Sequence, residues 1–385
     1  MEIRFAGTAG PAGWPAADCR CASCMRLRTS NNEFRSAEVV IDGQLRLTPG
    51  TPPGPGAGYR IEPVPGGWDI TGPDGARLLA AAGPGLIPDP PAGSRAYDMV
   101  LLDLLHTPAQ LGMLRRRRLL PGPDGTSTAG PDGTSTGSPG TVRAAALYAD
   151  HRISSPAELA RRCAFWQALS PADGDTLTVP AAAEPAAEQA PHGPGSDWPH
   201  RTLVLGGARS GKSHEAELRL AAEPRVTYLA AGPYPDRARS GSTGPDEPDA
   251  EWARRVAAHR AARPRWWATI ESTDVAGALR RLRGAALIDG IGTWLTAAMT
   301  EAGAWEAGSQ AAQAALAARI DDLVAAWRQT GARVVAVSDQ VGSGIVPATP
   351  AGRAFRDQLG WLNQRLAAES EETVLVAAGQ VLGAG

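Results

Sequence analysis

The clearest chemical capability in this chain lies in Gly206-Gly207-Ala208-Arg209-Ser210-Gly211-Lys212-Ser213, which fits the phosphate-binding pattern G-x-x-x-x-G-K-[ST]. Of the 38 Lys and Arg residues, Lys212 is the only lysine. The bias toward Arg, Ala, Gly and Pro is that of a GC-rich coding sequence, so a lysine kept against it points to chemistry that a planar guanidinium performs poorly. In such a loop the backbone N–H groups and the N-terminus of the following helix form a concave anion site. The pattern assigns Lys212 to the β- and γ-phosphates of a nucleotide and the Ser213 hydroxyl to Mg²⁺.

Two further groups extend that chemistry. Asp289 ends the apolar run Ala285-Ala286-Leu287-Ile288, the arrangement of a carboxylate that helps hold Mg²⁺ opposite the loop serine. A strand-end Asp that only caps the next helix looks the same. His259 stands in Arg255-Val256-Ala257-Ala258-His259-Arg260-Ala261-Ala262-Arg263-Pro264, followed by Trp267 and Glu271. With Arg260 and Arg263 within one helical turn, this setting favours phosphate and a neutral imidazole. A neutral imidazole can attack phosphorus and carry the transferred group covalently, splitting one difficult transfer into two steps. The plainer reading is a surface histidine on a helix.

The cysteines are Cys19, Cys21, Cys24 and Cys163, the first three spaced C-x-C-x-x-C. In a reducing compartment that spacing reads as metal ligation rather than as a disulfide. A structural zinc would take its fourth ligand from His151, His106 or Cys163, and the spacing does not choose between them. Free thiols in a loop are the plainer alternative.

These residues need elements to hold them. Thr202 to Leu205 reads as a short buried strand before the loop, and Ser213 to Glu223 as a helix rich in Ala, Glu and Leu after it. Further strands are predicted at Val226 to Ala230, Ala285 to Asp289, Arg333 to Ser338 and Thr373 to Ala377, with helices at Asp249 to Ala262, Ser309 to Gln329 and Pro350 to Ala368. That alternation is α/β and predicts a parallel sheet with flanking helices. Ligands of open α/β sheets gather outside the carboxyl ends of the strands, where Ala230-Ala231-Gly232, Asp289 and Ser338 fall.

At 385 residues and 43% hydrophobic content the chain has room for two or three domains with real cores. Gly-Pro-Asp-Gly-Thr-Ser-Thr at 122–128 returns at 130–136, a flexible insertion over about 121–140. An Ala/Pro/Glu/Gly tract at 180–199 reads as a linker between an N-terminal domain, 1–179, and a C-terminal domain, 200–385. Within the first, apolar patterning resumes at Thr141 to Tyr148 and a helix is predicted over Pro156 to Leu169. A formal charge of −2 gives no general attraction for nucleic acid or membrane, and the basic run Arg115 to Arg118 reads as a solvated helix end. No apolar stretch approaches a membrane span, and Met1-Glu2-Ile3-Arg4-Phe5 lacks the build of a signal peptide, so a cytoplasmic location is expected.

The phosphate loop, the segment His259-Arg260-x-x-Arg263-Pro264 with Trp267 and Glu271, and Val341-Gly342-x-Gly344-Ile345-Val346-Pro347 together resemble the adenosylcobinamide kinase/adenosylcobinamide-phosphate guanylyltransferase family of cobalamin biosynthesis. Arg353-x-Phe355-Arg356-Asp357-x-x-Gly360-x-x-Asn363-Gln364-Arg365-Leu366-Ala367 is similar to the family's last helix, and the resemblance covers about 201–382. It implies two reactions. One phosphorylates the aminopropanol hydroxyl of adenosylcobinamide, a corrinoid, with ATP or GTP. The other transfers GMP from GTP to that phosphate, giving adenosylcobinamide-GDP and pyrophosphate, with the guanylyl group carried on His259. The resemblance further implies phosphate binding by Arg260 and Arg263, with Ala261 and Ala262 in the same nucleotide segment. It implies guanine-nucleotide contacts from Ala230, Ala231, Gly232 and Glu271, the acidic position after the third strand at Asp289, and a homo-oligomer with a site shared between subunits.

Two departures bear on this. Where the family reads Ser/Thr-Asn-Glu-Val-Gly, this chain has Ser338-Asp339-Gln340-Val341-Gly342. Asp339 keeps one acid a residue earlier, and a shifted carboxylate can still reach a metal or hydroxyl, but a one-residue shift along a strand turns a side chain to the opposite face, which weighs against the phosphorylation half of the activity. The loop from Gly232 to Pro248 is also long and rich in Gly, Pro and Ser; it reads as decoration rather than a lid. A second reading of the same residues is a GTP-binding regulatory or scaffold protein, against which His259 in its arginine setting counts.

The chain's opening, Phe5-Ala6-Gly7-Thr8-Ala9-Gly10 with Gly13-Trp14-Pro15 and the cysteine cluster, looks like metallo-β-lactamase-like proteins of the phosphodiesterase type. Those hydrolases need an H-x-H-x-D-H cluster, because a water-activating metal pair takes several imidazoles and a carboxylate at one site. Asp103 with His106, and Asp150 with His151, are too sparse for that. A degenerate, β-rich α+β domain is expected, with a structural or partner-positioning role.

Overall fold

Strand β1 (Glu2–Gly7) alternates exposed and buried residues, turning Ile3 and Phe5 inward, as a strand with one wet face must. The computed structural model describes residues 1–120, 143–179, 200–232, 263–305 and 309–383. The insertion at 121–140, the linker at 180–199 and the helix expected at 249–262 lie outside the described residues; so do most of the Gly232–Pro248 loop and His259, Arg260, Ala261 and Ala262. The chain divides into two units, Met1–Ser196 with Ala221–Pro224, and Asp197–Leu220 with Arg225–Gly385.

In the first unit, β1 is followed by α1 (Ala22–Thr29), β2 (Glu38–Ile41), β3 (Leu45–Leu47), β4 (Arg60–Val64), β5 (Gly67–Thr71), β6 (Arg77–Ala81) and β7 (Met99–Leu102). Then come α2 (Ala109–Arg116), β8 (Ala144–Ala146), α3 (Pro156–Phe165) and β9 (Thr176–Thr178). One sheet has the order β3-β2-β1-β9, the other β4-β5-β6-β7-β8. Ile3, Phe5, Val39 and Ile41 of the first share a core with Ile70, Leu78, Met99 and Leu101 of the second, so the sheets pack as a β-rich sandwich. Ser155 caps α3 through the Glu158 N–H at 3.1 Å, with Pro156 in the first turn, a start that can be read from the sequence. The basic run departs from its expected solvation. Arg115 is 8% exposed and donates to the Trp166 carbonyl at 2.7 Å, while Arg116 and Arg118 face solvent.

The second unit comprises β10 (Arg201–Gly206), α4 (Lys212–Leu220), β11 (Val226–Ala230), β12 (Ala268–Glu271), α5 (Val275–Arg281) and β13 (Ala285–Asp289). It continues through α6 (Ile291–Ala302), α7 (Gln310–Gln329), β14 (Arg333–Asp339), α8 (Pro350–Ala368), β15 (Glu372–Ala377) and β16 (Gln380–Gly383). The sheet order is β12-β11-β13-β14-β10-β15-β16, parallel except for the β15–β16 hairpin. Strands such as β14, with Val334 to Ser338 all buried, carry apolar residues toward both faces because both faces are covered. Leu203, Ile288 and Ala336 pack beneath α5 to α8, while Val204, Leu287 and Val337 pack with Ala216 and Leu220 of α4. Leu359, Leu362 and Leu366 form the buried stripe of α8, spaced three and four residues apart.

The expected strands are all present, within a residue or so at each end. The helix after the phosphate loop is shorter than expected, ending at Leu220 rather than at Glu223. Strands β12 and β16 and helices α5 and α6 add to the expected set.

Candidate active site

Strand pairing gathers most of the described candidates along one edge. In register, Gly206 of β10 lies opposite Asp339 of β14, Ala230 of β11 opposite both Glu271 of β12 and Asp289 of β13, and Asp289 opposite Val337. The phosphate loop therefore leaves the same carboxyl-terminal edge that carries Ala230, Glu271 and Asp289, the position at which α/β sheets bind ligands.

The loop's local geometry follows from its glycines. A Cβ at Gly206 would fall 2.3 Å from Ser210 Oγ and 2.7 Å from the Val376 carbonyl, and Gly211 adopts φ +98°. Arg209 also takes a left-handed φ, 57°. Ser210 is buried and accepts from the Lys212 N–H at 3.4 Å, while its carbonyl accepts from Gly379 N–H of the β15–β16 turn at 2.8 Å. Gly207 and Ala208 are exposed at the loop's crest, and Ser213 is half-buried in the first turn of α4. Lys212 Nζ donates to the Gly207 carbonyl at 3.2 Å and pairs with Asp339 Oδ1 at 2.9 Å.

That last contact bears on the two alternatives left open for Asp339. Its carboxylate faces the phosphate loop, while the Gln340 amide turns to Ser343 Oγ at 3.3 Å. The end of β14 is fastened from two sides: Gln340 N–H donates to the Gly206 carbonyl at 3.1 Å, and Asn363 of α8 engages it from the helix layer. Asn363 Oδ1 accepts from the Ser338 hydroxyl at 2.6 Å and its Nδ2 donates to the Asp339 carbonyl at 3.1 Å.

Asp289 accepts a short hydrogen bond from the Tyr228 hydroxyl. Burial, and then the Asp289 charge, push the Tyr228 phenol far above its ordinary range, so it remains a donor. Arg263 lies over the Tyr228 ring with Cζ 3.1 Å from the centroid, and its Nε is 3.6 Å from Glu217. Its side chain is only 7% exposed. Ala231 N–H donates to the Asp289 carbonyl at 3.1 Å, and a Cβ on Gly232 would fall 2.4 Å from the Thr293 methyl. Glu271, at the end of β12, is exposed. Sequence reasoning missed Tyr228 and Thr293, and read Asn363 only as part of the last-helix pattern, without its role at the end of β14. Tyr228 left a signal, as a polar-tipped residue two positions before the strand end.

In the first unit, Cys21 caps α1, its Sγ accepting from the Cys24 N–H at 3.5 Å. The ligand atoms of Cys19, Cys21, Cys24 and His151 all lie within 4.8 Å of one another. Ligands 2.3 Å from a tetrahedral zinc are separated by about 3.8 Å, so this donor set fits zinc with small side-chain movements. The competing fourth ligands are placed elsewhere. His106 Nδ1 engages the buried Asp103 carboxylate at 2.7 Å with Nε2 3.6 Å from Asp150, and Cys163 is buried in α3, its thiol pushed up to about 12 by burial. The Cys24 N–H lowers the Cys21 thiol pKa, whereas burial pushes Cys24 up to about 11.

Among the described residues no helix is long and apolar enough to cross a membrane. Residues 202–383 match the family described as cobinamide kinase/cobinamide phosphate guanyltransferase. The chain is 34% identical over 187 residues to the bifunctional adenosylcobalamin biosynthesis protein CobU of Escherichia coli K12, covering 46% of this chain and 95% of that protein. It is 37% identical over 186 residues to CobU of Salmonella typhimurium, at the same coverage, and 34% identical over 185 residues to CobP of Pseudomonas aeruginosa, covering 94% of the latter. A solved chain from work on a type III secretion ATPase aligns with a TM-score of 0.30 and 11% identity over 48% of this chain and 56% of that one, too little to bear on fold. By its C-terminal half, then, the chain belongs to the cobinamide kinase/cobinamide phosphate guanyltransferase family.

Proposed function

We propose that the C-terminal unit phosphorylates adenosylcobinamide with ATP or GTP and then transfers GMP from GTP to the resulting phosphate, giving adenosylcobinamide-GDP and pyrophosphate. The observation that carries this reading is the phosphate loop with Lys212 on the same sheet edge as Ala230, Glu271 and Asp289. Lys212 grips the triphosphate, and the loop's N–H groups and the start of α4 hold its oxygens. Mg²⁺, when bound, would be held by Ser213 and Asp289 and would neutralise phosphate charge; the Tyr228 hydroxyl orients the Asp289 carboxylate. In the transfer half, His259 attacks the α-phosphorus of GTP, forming a P–N bond as the bond to pyrophosphate breaks. The corrinoid phosphate then attacks the same phosphorus and the P–N bond breaks, returning the electron pair to the imidazole. Arg260, Ala261, Ala262 and Arg263 belong to the nucleotide segment around that histidine, and Ala230, Ala231, Gly232 and Glu271 contact the guanine nucleotide.

Incubation with α-³²P-GTP and Mg²⁺ tests the reading. Acid-labile, base-stable label that disappears in His259→Ala is expected. Absence of label, or label that persists in the variant, would exclude guanylyl transfer and leave a nucleotide-binding regulatory protein.

For the N-terminal unit we propose a degenerate, metallo-β-lactamase-like sandwich with a structural or partner-positioning role, tied by a zinc on Cys19, Cys21, Cys24 and His151. Four protein ligands close the coordination sphere, the arrangement of a structural rather than a catalytic zinc.

A further inference from the structure

The two reactions proposed above differ in what their acceptor must lose. Guanylyl transfer is received by a phosphate oxygen, which is ionised at neutral pH, whereas phosphorylation is received by a hydroxyl, which must give up its proton. A base beside the γ-phosphate is therefore needed for one half-reaction and not for the other.

We infer that Asp339 is that base, and that Lys212 holds it against the phosphate loop until a nucleotide arrives. The inference rests on the kinase half of the proposed function. Asp339 lies in register with Gly206, the first residue of the loop, on the strand directly beside β10. Its Oδ1 is 2.9 Å from Lys212 Nζ, and its side chain is 43% exposed, open to an incoming alcohol. Its Oδ2 lies over the first turn of α6, where a Cβ on Gly292 would fall 2.9 Å away, so the small residue there leaves the carboxylate its place. The backbone that carries it is fixed through Asn363 and through Gln340 N–H on Gly206.

The other acidic residues named for this edge are less suited. With strands about 4.8 Å apart, Glu271 on β12 is roughly 19 Å across the sheet from β10, and Asp289 on β13 roughly 10 Å. Asp289 also accepts from Tyr228. Position 340 is a glutamine, which cannot take a proton at neutral pH.

The step follows. When the triphosphate enters, Lys212 moves its ammonium onto the phosphates and leaves Asp339 unpaired beside them. The substrate hydroxyl donates to the Asp339 carboxylate. As its oxygen bonds to the γ-phosphorus, the proton passes to Asp339, and the bond from the γ-phosphorus to the bridging oxygen breaks with its electron pair going to the nucleoside diphosphate. The half-exposed Asp339 then releases the proton to water.

The two half-reactions are assayed separately on the full chain: phosphorylation of adenosylcobinamide by ATP, and guanylyl transfer from GTP to adenosylcobinamide phosphate. In Asp339→Asn, phosphorylation should lose at least tenfold in kcat, a general base typically contributing about 10²–10⁴-fold. The KM for ATP and the guanylyl transfer rate should stay within threefold. Asp339→Glu should recover part of the loss, and Gln340→Ala should leave both rates unchanged. A smaller loss in Asp339→Asn, or an equal loss in both half-reactions, overturns the proposal. So does a wild-type protein that transfers guanylyl groups without phosphorylating, which spares the transferase reading. A wild-type protein that does neither sinks the proposed function itself.

Discussion

Replacing Asn363 by alanine tests whether the α8 clamp holds the end of β14. Asn363 is 5% exposed and Ser338 1%, so the hydroxyl between them has little access to water, and the Asp339 carbonyl is partly buried. The substitution orphans the Ser338 hydroxyl, which donates at 2.6 Å, and the Asp339 carbonyl, which accepts at 3.1 Å. Each buried orphan costs about 1–3 kcal/mol, which gives about 3 kcal/mol for the pair after partial relaxation. In a unit of this size each kcal/mol lowers Tm by about 2–4 °C, so a fall of about 6–12 °C is expected. Scanning calorimetry measures it, the C-terminal transition being identified as the one that rises with added GTP. Ser338→Ala combined with Asn363→Ala removes both partners of one bond, so the double variant should fall short of the summed single effects by about 1–2 kcal/mol. An Asn363→Ala transition within 1 °C of wild type, or strict additivity in the cycle, would refute the clamp.

Lys212→Ala should abolish both nucleotide-dependent reactions, and Lys212→Arg should recover less than a tenth of either; unchanged turnover in the alanine variant overturns the phosphate-loop assignment. Fresh protein should carry one equivalent of zinc by elemental analysis, and His151→Ala should release it to a chelator at least tenfold faster. Metal-free wild type that retains its N-terminal thermal transition would remove the zinc proposal. Glu158 loses hydration on burial, but Arg161 and Arg162, bonded to it at 2.7 and 2.8 Å, hold its pKa below the usual carboxylate value. Its contribution to stability is therefore complete above the ordinary glutamate pKa and lost as pH falls through the depressed one. The stability difference between wild type and Glu158→Gln should accordingly shrink below about pH 4.5, and a pH-independent difference would contradict the pairing.

Local pattern made much of this structure readable. Buried parallel strands announce themselves as apolar runs, and the phosphate loop carries its own glycine geometry, so β10, β11, β13, β14 and β15 could be placed by inspection. Strand β12 escaped because its four residues are all exposed at the sheet's edge and carry no buried pattern. Helix α6 was hidden by glycines at 290 and 292, which usually argue against a helix but here serve as a cap and as space for the Asp339 carboxylate. The Tyr228–Asp289 bond, the Asn363 clamp and the placement of His151 beside Cys19, Cys21 and Cys24 join residues far apart in the chain. No periodicity encodes such pairings; they follow from the tertiary arrangement of each unit. Which way Asp339 faces was left open by the sequence, because alternation alone does not say how the strand's last residue meets the neighbouring loop.

The P-loop strand β10 lies between β14 and β15, both of which are encoded more than a hundred residues after it. During synthesis, the segment that carries Lys212 thus emerges with neither of its neighbours available, and the turn whose Gly379 N–H braces Ser210 comes later still. A nascent chain cannot pair its apolar run of Leu203, Val204 and Leu205 with either neighbouring strand until almost all of the unit has left the ribosome, and that delay exposes it to misassociation.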